Sequence, residues 1–112
     1  MSISAVQLFK CLSDETRLNS TLLIHLEGEA CVCELVEALG ESQPKISRHL
    51  SQLRNCEILT DRRKGQWVFY SLHPDFPEWA INILKDACIA HKKEIKGLRT
   101  RLNALKDRPN RC

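Results

Sequence analysis

The chain lacks the features that would place it in a membrane or in a secretory pathway. None of its 112 residues lies in a stretch that approaches the roughly 18 to 20 apolar residues of a membrane-spanning helix. The first residues do not show the basic and then apolar pattern of a secretory signal. We therefore expect a cytoplasmic protein, in which cysteines stay reduced and serve as metal ligands or redox sensors more often than as a disulfide framework.

The chain also lacks the common sequence signatures of catalysis. It has no CxxC redox motif, no glycine-rich nucleotide loop and no convincing Cys/His/Asp triad, so a small cysteine-dependent oxidoreductase is disfavoured. It has no internal repeat, low-complexity segment or linker. With 43% hydrophobic and 28% charged residues, the composition is typical of a folded protein. We expect residues 1–112 to form one binding domain that is not an enzyme.

Apolar residues recur with the period of a helix in four segments before residue 56. Asp14 is a good N-cap for the second segment, and Gly28 is suited to end it. Gly40 is suited to end the third segment, and Ser42 can cap the fourth. The sequence predicts four helices in this order.

Two different patterns follow the fourth helix. Between Ile58 and Leu72 the apolar residues alternate as in a strand, with a break at Lys64 and Gly65 that predicts a β-hairpin. Pro77 then opens a helical pattern that continues through Leu105 and predicts one long helix. The expected fold class is mainly α with a small β-hairpin, in a homodimeric winged helix-turn-helix.

The dimer expectation depends on apolar surface at both ends of the chain. The long C-terminal helix carries a longer apolar stripe than a domain of this size needs. Together with Leu8 and Phe9 of the first helix, it is expected to form a two-fold contact. A dimer doubles the number of phosphates that the protein neutralises on DNA.

The segments Val32 to Leu39 and Ser42 to Asn55 have the proportions of a helix-turn-helix, whose second helix enters the major groove. Arginine pairs with guanine and glutamine with adenine, so Arg48 and Gln43 are expected to contact bases. The other candidates are expected to contact phosphates or the minor groove. His49 lies toward the buried face and is expected to be structural. The full set of candidate DNA-binding residues is Gln43, Lys45, Ser47, Arg48, Ser51 and Gln52 in the helix and Arg62, Arg63 and Lys64 in the hairpin.

The sequence resembles the ArsR/SmtB family of bacterial metal-responsive repressors, and within it the arsenic-responsive members. The resemblance is carried by the strings LFKCLSDETRL, ACVCEL, SQPKISRHLSQLR and DRRKGQWVFYSL. It implies a homodimer that binds an inverted-repeat operator on double-stranded DNA without ligand and leaves it when trivalent arsenic or antimony binds. It also implies that Cys31 and Cys33 are the metalloid ligands.

Two features of this cysteine pair bear on the inducer. Residues two apart do not face one another on a regular helix, so the start of the helix must unwind or bend for both sulfurs to bind one atom. Arsenite commonly takes three thiolates, and the resemblance implies a third cysteine where Val36 stands. The open alternatives are an inducer that needs two thiolates, such as a methyl or phenyl arsenical, a solvent or small-thiol ligand, or one of Cys11, Cys56, Cys88 and Cys112.

Other roles for these residues are weaker. A redox- or persulfide-responsive repressor of the same fold is an alternative, but a disulfide between Cys31 and Cys33 would close a small, strained loop. Cys11, Cys56 and Cys88 are expected to be apolar filler. Zinc is not expected, because His91 and Glu94 alone keep a ligand-like spacing in the last helix.

Overall fold

The computed structural model describes residues 3–105, and it contains six helices and three strands in that part of the chain. Their order confirms the four predicted helices and the hairpin, and adds a short strand before the third helix. The elements are α1 (Ala5–Leu12), α2 (Glu15–Glu27), β1 (Glu29–Cys31), α3 (Val32–Leu39), α4 (Gln43–Asn55), β2 (Leu59–Lys64), β3 (Trp67–Leu72), α5 (Glu78–Ala90) and α6 (Lys92–Asn103).

The predicted helix caps form as the sequence indicates. The Asp14 carboxylate accepts a hydrogen bond from the N–H of Arg17 at 3.0 Å, and the Ser42 hydroxyl accepts one from the N–H of Lys45 at 3.3 Å. Each bond satisfies an N–H of the first turn that has no partner inside the helix. Gly40 ends α3 in the left-handed region, with φ of 67°, so the chain reverses tightly before α4.

The predicted single C-terminal helix is wrong, because the chain bends at His91 and forms α5 and α6. Contacts with the rest of the fold hold this bend. The His91 ring lies 2.9 Å from the side-chain oxygen of Asn19 in α2, and Arg101 Nε donates to the carbonyl of Ala38 in α3 at 2.8 Å. These partners lie far away in sequence, so helical periodicity alone does not reveal the bend.

The three strands form an antiparallel sheet in the order β1–β3–β2. The hairpin pairs Leu59 with Leu72 and Lys64 with Trp67. Strand β1 adds Ala30 opposite Tyr70 at the other edge of β3. Its three residues are too few to show the alternation from which a strand is predicted, and they place the start of α3 beside the hairpin.

The core draws residues from every helix, and one predicted interface residue belongs to it. Leu8 is fully buried within the chain, so its predicted role in a dimer contact is wrong. Phe9, its neighbour in α1, is 56% exposed. Among residues 3–105, no helix is long and apolar enough to cross a membrane. The largest fully buried side chains are Leu8, Leu22, Leu23, Ile24, Leu35, Ile46, Leu50, Leu53, Ile58, Leu59, Leu84 and Leu102.

Candidate functional site

Helices α3 and α4 form a helix-turn-helix, and the β2–β3 hairpin follows as its wing. Ile46, Leu50 and Leu53 are fully buried and fix α4 against α2, α3 and β2. This packing determines which face of α4 is left for a ligand. Of the predicted residues on this helix, Gln43, Arg48 and Gln52 are exposed, and Lys45, Ser47 and Ser51 are half-buried.

The polar residues of this face differ in the partners they already have. Lys45 Nζ lies 3.1 Å from a carboxylate oxygen of Glu41, and Gln52 accepts a hydrogen bond from Arg17 Nη1 at 3.0 Å. Within residues 3–105, Arg48 makes no side-chain hydrogen bond or ion pair. Its guanidinium is therefore the cation of this face that is most available to a base or a phosphate.

The sequence prediction for His49 is confirmed, and the structure adds Arg17 beside it. His49 is 7% exposed, and its Nδ1 lies 3.3 Å from Arg17 Nη1. Arg17 Nε also donates to the carbonyl of Cys11 at 2.7 Å. The backbone N–H of Arg17 lowers the pKa of the Asp14 carboxyl, and the nearby charges of His49 and Arg17 lower it further. This network, which we call the Arg17 network, ties α1 and α2 to α4.

The three cations predicted for the wing do not act alike. Arg62 forms two hydrogen bonds to the carboxylate of Glu29 in β1, at 2.9 and 3.2 Å, and lies 4.7 Å over the ring of Phe69. It therefore clamps β1 to the hairpin in this conformation. Arg63 and Lys64 are exposed at the turn and make no ion pair among the described residues.

The pair Cys31 and Cys33 spans the junction between a strand and a helix. Cys31 is the last residue of β1 and the N-cap of α3, with extended backbone (φ −92°, ψ 164°) and 1% exposure. Its N–H donates to Glu34 Oε1 at 2.9 Å. Cys33 is half-buried in the first turn of α3. Cys31 thus lies outside the regular helix, at the start of α3, where the sequence predicts that the chain must unwind or bend for both sulfurs to bind one atom.

Cys33 opens into a small surface pocket of about 260 Å³, lined also by Val36, Glu37 and Gln43. Val36 stands where the family resemblance implies a third cysteine, and it supplies an apolar wall to this pocket. Gln43 is the first residue of α4 and a predicted base-contacting residue. A group bound at Cys33 would therefore lie beside the start of α4, the second helix of the helix-turn-helix.

No third ligand joins Cys31 and Cys33 within the described part of the chain. Over residues 3–105, no group of three or more His, Cys, Asp or Glu side chains lies close enough to hold a metal ion. His91 and Glu94 do approach each other, at 3.6 Å. Cys112, one of the candidate third ligands, lies outside the described residues.

Two of the three remaining described cysteines depart from the predicted filler role. Cys11 and Cys56 form a disulfide bond with their Cα atoms 6.9 Å apart, so the expectations that both are reduced and that both are isolated filler are wrong. They are separated by 45 positions in sequence, so no spacing rule predicts that they pair. Cys88 is free and half-buried. Burial raises the pKa of its thiol, and the charge of Arg99 lowers it in part.

Comparisons with known proteins agree with this architecture. A family model described as "Bacterial regulatory protein, arsR family" matches residues 14–61, which hold α2 to the first part of β2. "Arsenic resistance transcriptional regulator ArsR1" of Pseudomonas putida is 55% identical over 90% of this chain and 79% of that protein. "Arsenical resistance operon repressor" of Escherichia coli is 46% identical over 96% of this chain and 94% of that protein.

The fold itself is similar to that of a protein of solved structure. The structure of HlyU from Vibrio cholerae matches 79% of this chain and 91% of its own, with a TM-score of 0.70 and 30% identity. Three findings lead to one assignment: the helix-turn-helix with its wing, the matched family model, and relatives that align over most of their length. The chain belongs to the arsR family of bacterial regulatory proteins.

Proposed function

We propose that residues 1–112 form one DNA-binding domain that represses transcription as a homodimer in the cytoplasm, without catalytic activity. It binds an inverted-repeat operator and is released when a trivalent arsenical or antimonial binds Cys31 and Cys33. The observation that carries this proposal is the pocket that Cys33 shares with Gln43 at the start of α4. The names of the relatives support an arsenical as the inducer.

DNA binding is assigned to the exposed face of α4 and to the tip of the wing. Arg48 has the freedom to pair with guanine and Gln43 with adenine in the major groove. Arg63 and Lys64 are placed to contact the backbone or the minor groove beside it. Arg62 is expected to reach DNA only where its pair with Glu29 opens.

Homodimer formation is supported by apolar side chains that the single chain leaves in water. Val6 and Phe9 of α1 are 75% and 56% exposed, and Trp79 and Ile89 of α5 are 41% and 72% exposed. Large apolar side chains that stay exposed in a single chain are candidates for burial by a partner where they adjoin one another. A two-fold contact between these helices would bury them and bring two copies of α4 to the two operator halves.

Inducer binding is expected to act through the junction between β1 and α3. An arsenical with one organic group, R–As(OH)₂, condenses with the two thiols, forms two As–S bonds and releases two waters. Because Cys31 is 1% exposed, its side chain reaches the arsenic only if the backbone at the start of α3 moves. That movement disturbs the hydrogen bond from the Cys31 N–H to Glu34 Oε1 and the first turn of α3. Val36 offers the organic group an apolar wall. The shift at α3 then displaces α4 from its DNA-binding position. The arsenical favours this displaced arrangement because it binds it more tightly than the DNA-binding arrangement.

Fluorescence anisotropy of a labelled inverted-repeat operator tests the proposal. Reduced protein is expected to bind at constant salt and to leave the DNA when methylarsenous acid is added. Arg48→Ala is expected to lose about 1 to 3 kcal/mol of operator binding, the usual range for a bidentate arginine contact. Lys96→Ala, which removes an equal charge at an exposed position of α6 outside α4 and the wing, is the control and should bind the operator as wild type does. If neither arsenicals nor antimonials released the protein from the operator, the assigned inducer would be wrong.

A further inference from the structure

The disulfide between Cys11 and Cys56 connects helix α1 to the C-terminal end of helix α4. Cys11 lies in the last turn of α1, whose exposed Val6 and Phe9 are assigned to the dimer contact. Cys56 is the C-cap of α4, the helix assigned to the major groove. The bond therefore fixes the end of the DNA-contacting helix to the dimer helix of the same chain.

The surroundings of this bond suit reversible thiol chemistry. Both cysteines are half-buried and line a groove of about 570 Å³ that is open in the single chain and borders the assigned dimer contact at Val6. The groove also contains the cations Lys10 and Arg17, which attract an anionic reagent. Neither Cys31, with 1% exposure, nor Cys33 lines this groove, so its chemistry is separate from that of the inducer site.

We propose that Cys11 and Cys56 form a reversible redox site that takes glutathione disulfide as its oxidant. One protein thiolate attacks a sulfur of glutathione disulfide, forms a mixed disulfide and expels one glutathione thiolate. The second protein thiolate attacks the protein sulfur of the mixed disulfide, closes the Cys11–Cys56 bond and expels the second glutathione. The two thiol protons end on the two glutathione molecules, and excess glutathione reverses both steps.

We infer further that the closed bond restrains the response to the arsenical, an inference that depends on the proposed function. Release requires α4 to move relative to the dimer helices, and a covalent bond at Cys56 limits that movement. The hydrogen bonds from Arg17 to the Cys11 carbonyl and to Gln52 do not use either sulfur, so the fold persists when the bond opens. Oxidised protein should thus stay on its operator at arsenical concentrations that release reduced protein.

The site is tested first without DNA or arsenic. Full-length protein is equilibrated in glutathione buffers from reducing to oxidising, its free thiols are trapped by alkylation, and its peptides are mapped by mass spectrometry. We expect oxidised wild type to contain a Cys11–Cys56 cross-linked peptide that excess glutathione removes. Cys88→Ser should keep this peptide, and Cys56→Ser should lose it. Full alkylation of Cys11 and Cys56 in every buffer would overturn the proposal.

The coupling is tested by the arsenical concentration that half-releases a labelled operator. Oxidised wild type should need at least about five times more methylarsenous acid than reduced wild type, the lower end of ordinary coupling between two sites. The double variant Cys11→Ser/Cys56→Ser, treated with the same buffers, should show equal midpoints, which controls for oxidation of Cys33. Equal midpoints in wild type would overturn the coupling. If reduced wild type were not released at all, the proposed function and the coupling would fail together, and the peptide result would still decide the redox site.

Discussion

The two cysteine pairs lie at opposite ends of the helix-turn-helix and differ in what they can do to it. Cys31 and Cys33 stand where the chain enters α3, and their sulfurs are not bonded to each other. Cys11 and Cys56 stand where the chain leaves α4, and they are bonded. A ligand that draws the first pair together must distort the entrance of the unit, whereas the bond in the second pair restrains its exit. In the proposals above, inducer binding at the first cysteine pair starts release, and the bond in the second pair restrains it.

The sharpest test of this difference is the loss of one sulfur from each pair. Cys31→Ser is expected to raise the arsenical concentration for operator release by at least about 100-fold, toward the upper end of ordinary site coupling, because one sulfur cannot hold the bridging arsenic. Cys56→Ser in reducing buffer should respond like wild type. The measurement is operator anisotropy during an arsenical titration. A response lost equally in both variants would show that the two pairs do not have separate roles.

Unfolding experiments should separate the pairs in a second way. Closing a loop of 45 residues restricts the unfolded chain, and oxidised protein is expected to gain about 2 to 4 kcal/mol in the free energy of unfolding over reduced protein. Urea denaturation at one fixed protein concentration measures this gain, since dimer formation makes stability depend on concentration. Cys56→Ser should show no difference between the two buffers. If Cys56→Ser gained as much stability in oxidising buffer as wild type, the gain would come from other cysteines.

One substitution can add a third thiol beside Cys33. Val36 shares the pocket of Cys33 and lies three residues further along α3, on the same helix face. Val36→Cys should lower the arsenite concentration for release by about tenfold, roughly 1.4 kcal/mol, because arsenite commonly takes three thiolates. The response to methylarsenous acid, which needs two thiolates, should stay unchanged.

A matched variant tests whether position or merely an added thiol matters. Leu39→Cys places a thiol on the same helix but in a different pocket, with Glu15 and His91. It should leave both midpoints as in wild type. If Leu39→Cys increased the arsenite response as much as Val36→Cys, the assignment of the Cys33 pocket as the inducer site would be wrong.

The sequence was sufficient for the parts of the fold that short-range patterns specify. The caps at Asp14 and Ser42, the buried face of α4 and the hairpin turn at Gly65 all follow from residues within a few positions of one another. The burial of His49 also follows from its place on the helix. These features depend on local backbone chemistry and on the helical period, both of which are visible in the chain itself.

The rest depends on contacts between residues far apart in sequence. The bend at His91 is held by α2 and α3, the clamp of Arg62 needs β1, and the bond of Cys11 needs Cys56. Arg17 looks like an ordinary surface cation in the first turn of α2. Its partners, the carbonyl of Cys11 and the side chain of Gln52, become neighbours only when α1 and α4 pack on α2.

The smallest expected effect concerns the Arg17 network beside the Cys11–Cys56 bond. The N–H of Arg17 and the adjacent charges hold the pKa of Asp14 below its ordinary value of 3.8. A carboxyl with a lowered pKa in the folded state stabilises the fold above its ordinary pKa, and this contribution is lost as the pH falls through the folded value. Wild type should therefore lose stability more steeply than Asp14→Asn below about pH 5, where protonation of ordinary carboxyls begins.

Asparagine caps a helix as well as aspartate does, so Asp14→Asn removes the charge while keeping the cap. The free energy of unfolding by urea is measured at several pH values between neutral and acidic conditions, in oxidising buffer so that the Cys11–Cys56 bond stays closed. Asp86→Asn, at an exposed carboxylate of α5, should follow the wild-type slope. If Asp14→Asn also followed it, the cap would act through hydrogen bonding alone, and the charge of the Arg17 network would contribute nothing to holding α4 against α1.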